Sequence, residues 1–279
     1  MTRVLVTGVR GKTGVPLAQL LAARPGVEVL GGSSDPATVT LDGVQPTAFS
    51  WDDVSTWAAA TDGVDAVYVV RPDRADAPEL IGALLTGLPA QARVVLLSER
   101  QADSSGPGGW AARTEQVVRR SGRPWTVLRP GWFMQVLTDE RFYLGPLVED
   151  GELAFSSGGA SIAWIDARDI AAVAERALLD DGHEGQVHEL TGPESLTLPQ
   201  VAQHVSTAAG HLVTHREIHL DEALDGLGGF ERDLTLWTFE RVHAGFFAPV
   251  TDTVERLTGR PARTLETFLA DSAAALRRG

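Results

Sequence analysis

The chain has no cysteine in 279 residues, which excludes a disulfide framework, a thiolate zinc site and a cysteine nucleophile. It has a single lysine, Lys12, so every other basic side chain apart from the seven histidines is arginine. Tyrosine is nearly as scarce, with only Tyr68 and Tyr143 against seven tryptophans. No apolar run approaches the ~20 residues that a membrane span needs. No charged stretch followed by an apolar signal core opens the chain, because residues 4–6 already read as folded strand. Positive charge is in deficit as well: the formal net charge is −13, with the acidity spread along the chain, which argues against nucleic acid as the main partner. These absences fit a cytoplasmic location.

The stretch VLVTGVRGKTGVPLAQLLA at residues 4–22 is the strongest positive signal. Val4, Leu5 and Val6 read as a buried strand. Gly8, Gly11 and Gly14 follow at G-x-x-G-x-x-G spacing, and an amphipathic helix begins directly after them. A strand-to-helix turn without side chains lets a pyrophosphate approach the backbone, and the helix N-terminus meets it with N–H groups and a partial positive charge. Such a triplet is weak alone and gains weight from the strand before it and the helix after it.

Strand-like and helical runs then alternate through the first half. The strands are expected at 3–7, 28–30, 46–49, 66–70, 93–97 and 126–128, and the helices at 15–23, 52–60, 77–85 and 110–120. Short apolar strands between amphipathic helices predict a doubly wound parallel sheet covered on both faces. Residues 98–109 form a loop at the carboxyl end of the fifth strand, the edge where ligands bind in such folds. In the second half, Gly145-Pro146, Asp150-Gly151 and Gly158-Gly159 read as turns around short strands. A helix is expected over 166–179, with Asp166 and Asp169 as its cap and first-turn charge, a strand over 187–190, and a helix over 198–208 capped by Thr197. Residues 1–131 are therefore assigned to a dinucleotide-binding domain. Residues 132–279 form a smaller mixed α/β lobe, from which about 160–192 returns to the sheet.

The segments TGVRGKTG, SGRPWTVLRPGWFMQ, IAWIDARDIAAVAERAL, VHELTGPESLTLPQVAQHVSTAAG and LTGRPARTLETFLAD follow one another along nearly the whole chain. In that order the chain resembles NmrA-like proteins, atypical members of the short-chain dehydrogenase/reductase superfamily. The resemblance implies a Rossmann fold with a small C-terminal substrate lobe, and NADP(H) or less often NAD(H) as ligand. Activities in the group include quinone and imine reduction and also cofactor sensing without catalysis. Where NADP(H)-using members carry an arginine just before Asp-Pro, this chain has Ser34. Arg10 and Lys12 in the glycine turn are expected to supply the charge for a 2′-phosphate instead, with Ser33 and Ser34 adding hydroxyls, so NADP(H) is favoured over NAD(H). Ordinary members of the superfamily use Tyr-x-x-x-Lys as proton donor. Here the residues four after Tyr68 and Tyr143 are Pro72 and Leu147, so that relay is excluded.

The candidate cofactor-binding residues are Gly8, Arg10, Gly11, Lys12, Thr13, Gly14, Ser33, Ser34, Arg71, Pro130 and Gly131. Pro130 and Gly131 are expected to let the backbone approach the nicotinamide. Ser98, ending the fifth strand, is the candidate catalytic residue, placed to orient a substrate oxygen or else to cap a turn. Arg129 is expected to pair with a carboxylate at the sheet edge, and Arg113 and Glu115 to be solvated helix positions. Trp110, Trp132, Phe133, Met134, Trp164 and Trp237 are expected to wall an apolar pocket, which favours a bulky aromatic or polycyclic small molecule. Packing between lobes is the competing role for Trp132, Phe133 and Met134. No metal site is read among the histidines, and His243 is expected to be an ordinary surface residue, with a catalytic role as the alternative. A homodimer is compatible with the sequence. The combined reading is an NAD(P)H-dependent reductase acting on a conjugated or aromatic carbonyl, quinone or imine in specialised metabolism. The alternative is a non-redox protein on the same fold, either a cofactor sensor or a cyclase or isomerase.

Overall fold

Apolar β-branched runs pair into a seven-stranded sheet of order β3-β2-β1-β4-β5-β6-β9 in the computed structural model, which describes residues 1–103 and 109–277. The strands are β1 (Thr2–Thr7), β2 (Val27–Ser33), β3 (Val44–Ala48), β4 (Ala66–Val70), β5 (Arg93–Leu97), β6 (Trp125–Pro130) and β9 (Gln186–Leu190). The pairs β3–β2, β2–β1, β1–β4, β4–β5 and β5–β6 are all parallel. The order reverses at β1, so the loops after β1 and β4 lie at the point where a doubly wound sheet opens a crevice. The connecting helices are α1 (Gly14–Ala22), α2 (Trp57–Thr61), α3 (Ala77–Thr86) and α4 (Trp110–Arg119). This is the Rossmann-type α/β architecture that the alternation predicts.

The chain divides into two compact units. One comprises Met1–Arg129 with Ile170–Glu189, the other Pro130–Asp169 with Leu190–Gly279. The first has a core of strand and helix residues including Leu5, Leu30, Val67, Ile81, Val94, Leu96 and Val127. The second contains α5 (Leu144–Glu149), β7 (Glu152–Phe155), β8 (Ser161–Ile162), β10 (Leu196–Thr197), α7 (Leu198–Ala209), β11 (Thr214–Glu217), α8 (Leu220–Ala223), α9 (Gly229–His243), α10 (Thr253–Thr258), α11 (Leu265–Asp271) and α12 (Ala273–Leu276). Its own core gathers Met134, Phe155, Trp164, Val201, Val205, Phe239, Phe268 and Leu269. The long helix α6 (Ala167–Leu179) starts at the end of one segment of the second unit and continues into the first.

Several elements differ from the sequence expectation for local reasons. Strand β2 runs through Gly31 and Gly32 instead of ending at Leu30. A Cβ at Gly31 would come within 2.8 Å of Val44 and one at Gly32 within 3.1 Å of Phe49, so the paired glycines let neighbouring side chains close onto the strand. The helix expected over 52–60 is split. Asp53 accepts the Ser55 N–H at 3.0 Å and its hydroxyl at 2.6 Å, which holds a short 3-10 turn before α2. Gly145-Pro146 lies inside α5 and is not a turn, because a proline in a first helical turn gives up no intrahelical hydrogen bond. Thr197 does cap α7: its N–H and hydroxyl both reach Gln200 at 2.9 Å. Of the loop expected over 98–109, residues 104–108 lie outside the described residues.

Candidate functional site

The turn after β1 is built from its glycines. Gly8 has φ of +65°, a conformation that disfavours a side chain. The Gly11 N–H donates to the Gly8 carbonyl at 2.8 Å, and a Cβ on Gly14 would overlap that same oxygen. Gly8 and Gly11 are exposed while Gly14 is buried, so the turn presents bare backbone outward and α1 begins at once behind it. This is a fit for a pyrophosphate at a helix N-terminus. The Thr13 hydroxyl accepts from the Tyr68 hydroxyl at 3.1 Å, a buried contact that anchors the start of α1 to β4. Arg10 is exposed, with no side-chain partner among the described residues, and Lys12 is half-buried.

At the end of β2, Ser33 is committed locally. Its hydroxyl donates to the Asp35 carbonyl at 2.9 Å and accepts the Asp35 N–H at 3.2 Å. Ser34 is exposed and its hydroxyl has no partner among the described residues. Arg71, just past β4, pairs with Glu99 at 2.7 Å and lies 3.8 Å over the ring of Trp110. Its guanidinium is thus held between an acid and an aromatic face.

A buried charge network sits behind Ser98. The Ser98 hydroxyl donates to Glu115 Oε1 at 2.7 Å. Arg129 donates to the same oxygen from Nε at 2.8 Å and to Oε2 from Nη2 at 2.7 Å, and Arg119 reaches Oε2 at 2.7 Å. Those four bonds match the acceptor capacity of one carboxylate. Arg129 also holds Asp103 through two bonds at 2.8 and 2.6 Å and Glu189 at 3.3 Å, as expected for a sheet-edge arginine. Burial pulls the Arg129 pKa down, but hydrogen bonds and charge from Glu115 and Asp103 reverse this and leave it raised. Arg129 in turn holds the Asp103 carboxyl below its ordinary range. Glu189 moves up, because burial outweighs the pull of Arg129.

Two sequence expectations change here. Glu115 is not a solvated helix position: it is 1% exposed, on the face of α4 that also buries Trp110, Ala111, Thr114 and Val118. That face follows the i, i+4 pattern, which is the signal that reading Glu115 as simply charged overlooks. Arg113 is exposed and paired with Glu79 at 2.7 Å, as expected. The second change concerns Ser98. With its proton committed to Glu115, it presents lone pairs, so it can accept from a ligand N–H or O–H but does not donate to a substrate oxygen.

The aromatic residues expected to wall a pocket are largely packing residues. Trp110 and Trp164 are 1% exposed, Met134 is fully buried and Trp237 is 8% exposed. Trp110 is fixed by its indole N–H, which donates to the Arg74 carbonyl at 2.7 Å, and Trp237 lies under the Arg241 guanidinium at 4.2 Å. Trp132 and Phe133 keep partial exposure. The Trp132 ring meets Phe155, Phe247, Phe239 and Trp164 at centroid distances of 5.2, 5.6, 6.0 and 6.3 Å. At Gly131 the close backbone approach is internal. Its N–H donates to the Leu190 carbonyl at 2.8 Å, and a Cβ would come within 3.1 Å of the Ala163 carbonyl. Sequence reading missed Gly192, where any Cβ would overlap the Trp164 carbonyl.

Asp166 accepts the Arg168 N–H at 2.8 Å at the start of α6, which is the expected cap, and also takes the Gln135 amide at 2.9 Å. Asp169 does more than charge the first turn: it accepts the Arg263 N–H at 2.7 Å and pairs with the Arg263 guanidinium. Burial raises the pKa of both Tyr68 and Tyr143, which weakens each as a proton donor. Among the described residues, no group of three or more histidines and carboxylates is placed to hold a metal ion. No helix among them is long and apolar enough to cross a membrane.

Residues 8–181 match the NAD(P)H-binding family. Over 284 aligned residues the chain is 35% identical to an NAD(P)H azoreductase of Xenophilus azovorans, with 98% of each chain covered. Its fold is similar to that of an NADPH-dependent quinone oxidoreductase of Escherichia coli complexed with NADPH. The TM-score is 0.80 and the identity 24%, over 98% of this chain and 99% of that one. It is also similar to NmrA, a negative transcriptional regulator in complex with NAD, with a TM-score of 0.74 and 18% identity over 98% and 95% of the two chains.

Proposed function

The chain belongs to the NAD(P)H-binding family and is an oxidoreductase with the NmrA-like Rossmann fold, and on that premise we propose that it reduces an activated, conjugated acceptor at the expense of NADPH. The reduced nicotinamide, when bound, supplies a hydride. The bare backbone of Gly8 and Gly11 and the N-terminus of α1 hold the pyrophosphate. Arg10 and Lys12 supply the positive charge that favours the 2′-phosphate of NADPH, and Ser34 adds a hydroxyl. Arg71, just past β4, completes the cofactor side of the site.

The observation that carries the acceptor class is the state of the acids. Ser98 has committed its proton to Glu115 at 2.7 Å. Tyr68 is buried and Tyr143 half-buried, both phenols have raised pKa values, and neither has a lysine four residues on. With no strong proton donor from these groups, the acceptor is one that takes hydride with little acid assistance. A quinone, an iminium carbon or an azo group conjugated to aromatic rings meets that condition, and an unactivated ketone does not. The named activities of the azoreductase and quinone oxidoreductase relatives support the same class. The partly exposed Phe133 favours a bulky aromatic body for that acceptor, of the kind met in specialised metabolism.

The test is a panel of acceptors assayed for NADPH and NADH oxidation: a naphthoquinone, a cyclic iminium, an azo dye and a simple aryl methyl ketone. Turnover of at least one of the first three without turnover of the ketone is expected. Turnover of the ketone alone would overturn the acceptor assignment.

A further inference from the structure

A cavity of about 500 Å3 lies within the second unit, lined by Ser156, Gly158, Glu217, Ile218, His219, Leu220, Asp221 and His243. None of these residues belongs to the glycine turn or to the Ser98 network. The local fold explains why a hollow forms there. Strands β7 and β11 pair in parallel, with Glu217 opposite Phe155, and both end at the same edge. The chain beyond β7 turns through Ser156–Gly158, and the chain beyond β11 continues through Ile218 and His219 into α8. The last residue of α9, His243, closes the third side, with its Nε2 at 3.1 Å from the Ser156 hydroxyl and 3.2 Å from the Ser156 carbonyl. Because a carbonyl only accepts, that nitrogen carries a proton. The volume is that of a site for a small organic molecule.

The lining has a distinct charge. Two carboxylates face it, and no lysine or arginine does. Burial would raise the Glu217 pKa, but the Ser157 hydroxyl at 2.5 Å and the N–H groups of Gly158 and Ser157, each at 2.7 Å, outweigh it. Glu217 is therefore held ionised. Asp221 is exposed, and its carboxylate has no partner among the described residues. The nearest arginine in sequence, Arg216, is taken up by Glu152 at 2.9 Å and Glu222 at 2.8 Å. Ile218 and Leu220 supply apolar wall.

We propose that this cavity at the ends of β7 and β11 binds an organic cation with an apolar body. Aliphatic contact with Ile218 and Leu220 accommodates the body, while Glu217 and Asp221 attract the charge and select against neutral or anionic analogues.

A matched pair of probes tests this by calorimetry on the whole protein, in mildly alkaline buffer and without NAD(P)H, so the result is independent of any reduction. N-methylacridinium carries the charge, and acridine is its neutral counterpart. The cation is expected to bind about tenfold tighter, since each exposed carboxylate contributes about two- to fivefold. Asp221→Asn should weaken the cation about two- to fivefold and leave acridine unchanged, and Asp221→Lys should weaken it by more than about tenfold. Asp225→Asn, an exposed carboxylate outside the lining, should change neither. Both Asp221 variants should melt with the wild type, because that side chain supports no other group. Equal affinity for the two probes, no binding of the cation, or an Asp225→Asn effect as large as that of Asp221→Asn would overturn the proposal.

Discussion

The hydroxyl of Ser98 donates to the buried carboxylate of Glu115 at 2.7 Å, and this one bond sets what the end of β5 can do. It turns a candidate donor into an acceptor. It also ties the loop that follows β5 to α4 and, through Arg129, to β6.

Removing Glu115 should therefore cost more than removing Ser98. Glu115→Gln leaves Arg129, 5% exposed, short of its buried partner, and a broken buried ion pair typically costs about 3–5 kcal/mol. Ser98→Ala removes one charge-assisted hydrogen bond, about 1.5–3 kcal/mol, and leaves both arginines on Glu115. Urea unfolding of the two variants gives the order directly. A Glu115→Gln protein as stable as wild type would show that the network is incidental.

The proposed reading gives tyrosine no part in proton donation. Tyr143→Phe should keep more than about a tenth of wild-type turnover, because loss of a general acid typically costs ~100-fold or more. Steady-state kinetics with the best acceptor of the panel decides it. A thousandfold loss with NADPH affinity intact would place the Tyr143 hydroxyl in the chemistry.

On the proposed reading, Arg10 is the residue that pairs with the 2′-phosphate. Its guanidinium is exposed beside the glycine turn, and Ser34 at the end of β2 brings no charge of its own. A lost charge-assisted bond of about 1.5–3 kcal/mol corresponds to roughly ten- to a hundredfold in affinity. Arg10→Ala should weaken NADPH binding by that factor and leave NADH binding nearly unchanged. Equal losses for both cofactors would remove Arg10 from the 2′-phosphate.

Trp132 is a structural member of the aromatic cluster in the second unit. Its ring meets four aromatic neighbours, the nearest being Phe155 at 5.2 Å. Trp132→Ala should cost about 3 kcal/mol, the lower end for a truncated core tryptophan because the ring keeps partial exposure. Affinity for NADPH should stay close to wild type. A variant that unfolds with the wild type but loses acceptor turnover would make Trp132 a pocket wall and not a packing residue.

The sheet was legible because its signals are local. Strand β4 and strand β5 are short apolar runs whose ends the sequence marks, and the glycine turn combines a motif with its flanking elements. What escaped depended on contacts far along the chain. The buried face of α4 includes Glu115, but nothing near it announces that Arg129, fourteen residues on, will pair with it there. Gly192 reads as one more turn glycine until the Trp164 carbonyl is seen against it. Trp110, Trp164 and Met134 read as pocket residues in the sequence because aromatic and thioether side chains suit both pockets and cores, and composition does not separate the two. The cavity beside His243 arises where two strands distant in sequence end together, which no periodicity in either strand reveals.

The central claim is that NADPH bound to this chain gives up its hydride to an activated acceptor. Single-turnover mixing tests it most directly: the preformed complex with NADPH, or with NADPH deuterated at the transferred position, is mixed with the acceptor and the loss of reduced-nicotinamide absorbance is followed. Oxidation of the bound cofactor, slowed by a primary isotope effect with the deuterated form, is predicted. Tight binding of NADPH with no oxidation by the quinone, the iminium or the azo dye would contradict the account and leave a cofactor-binding sensor in its place.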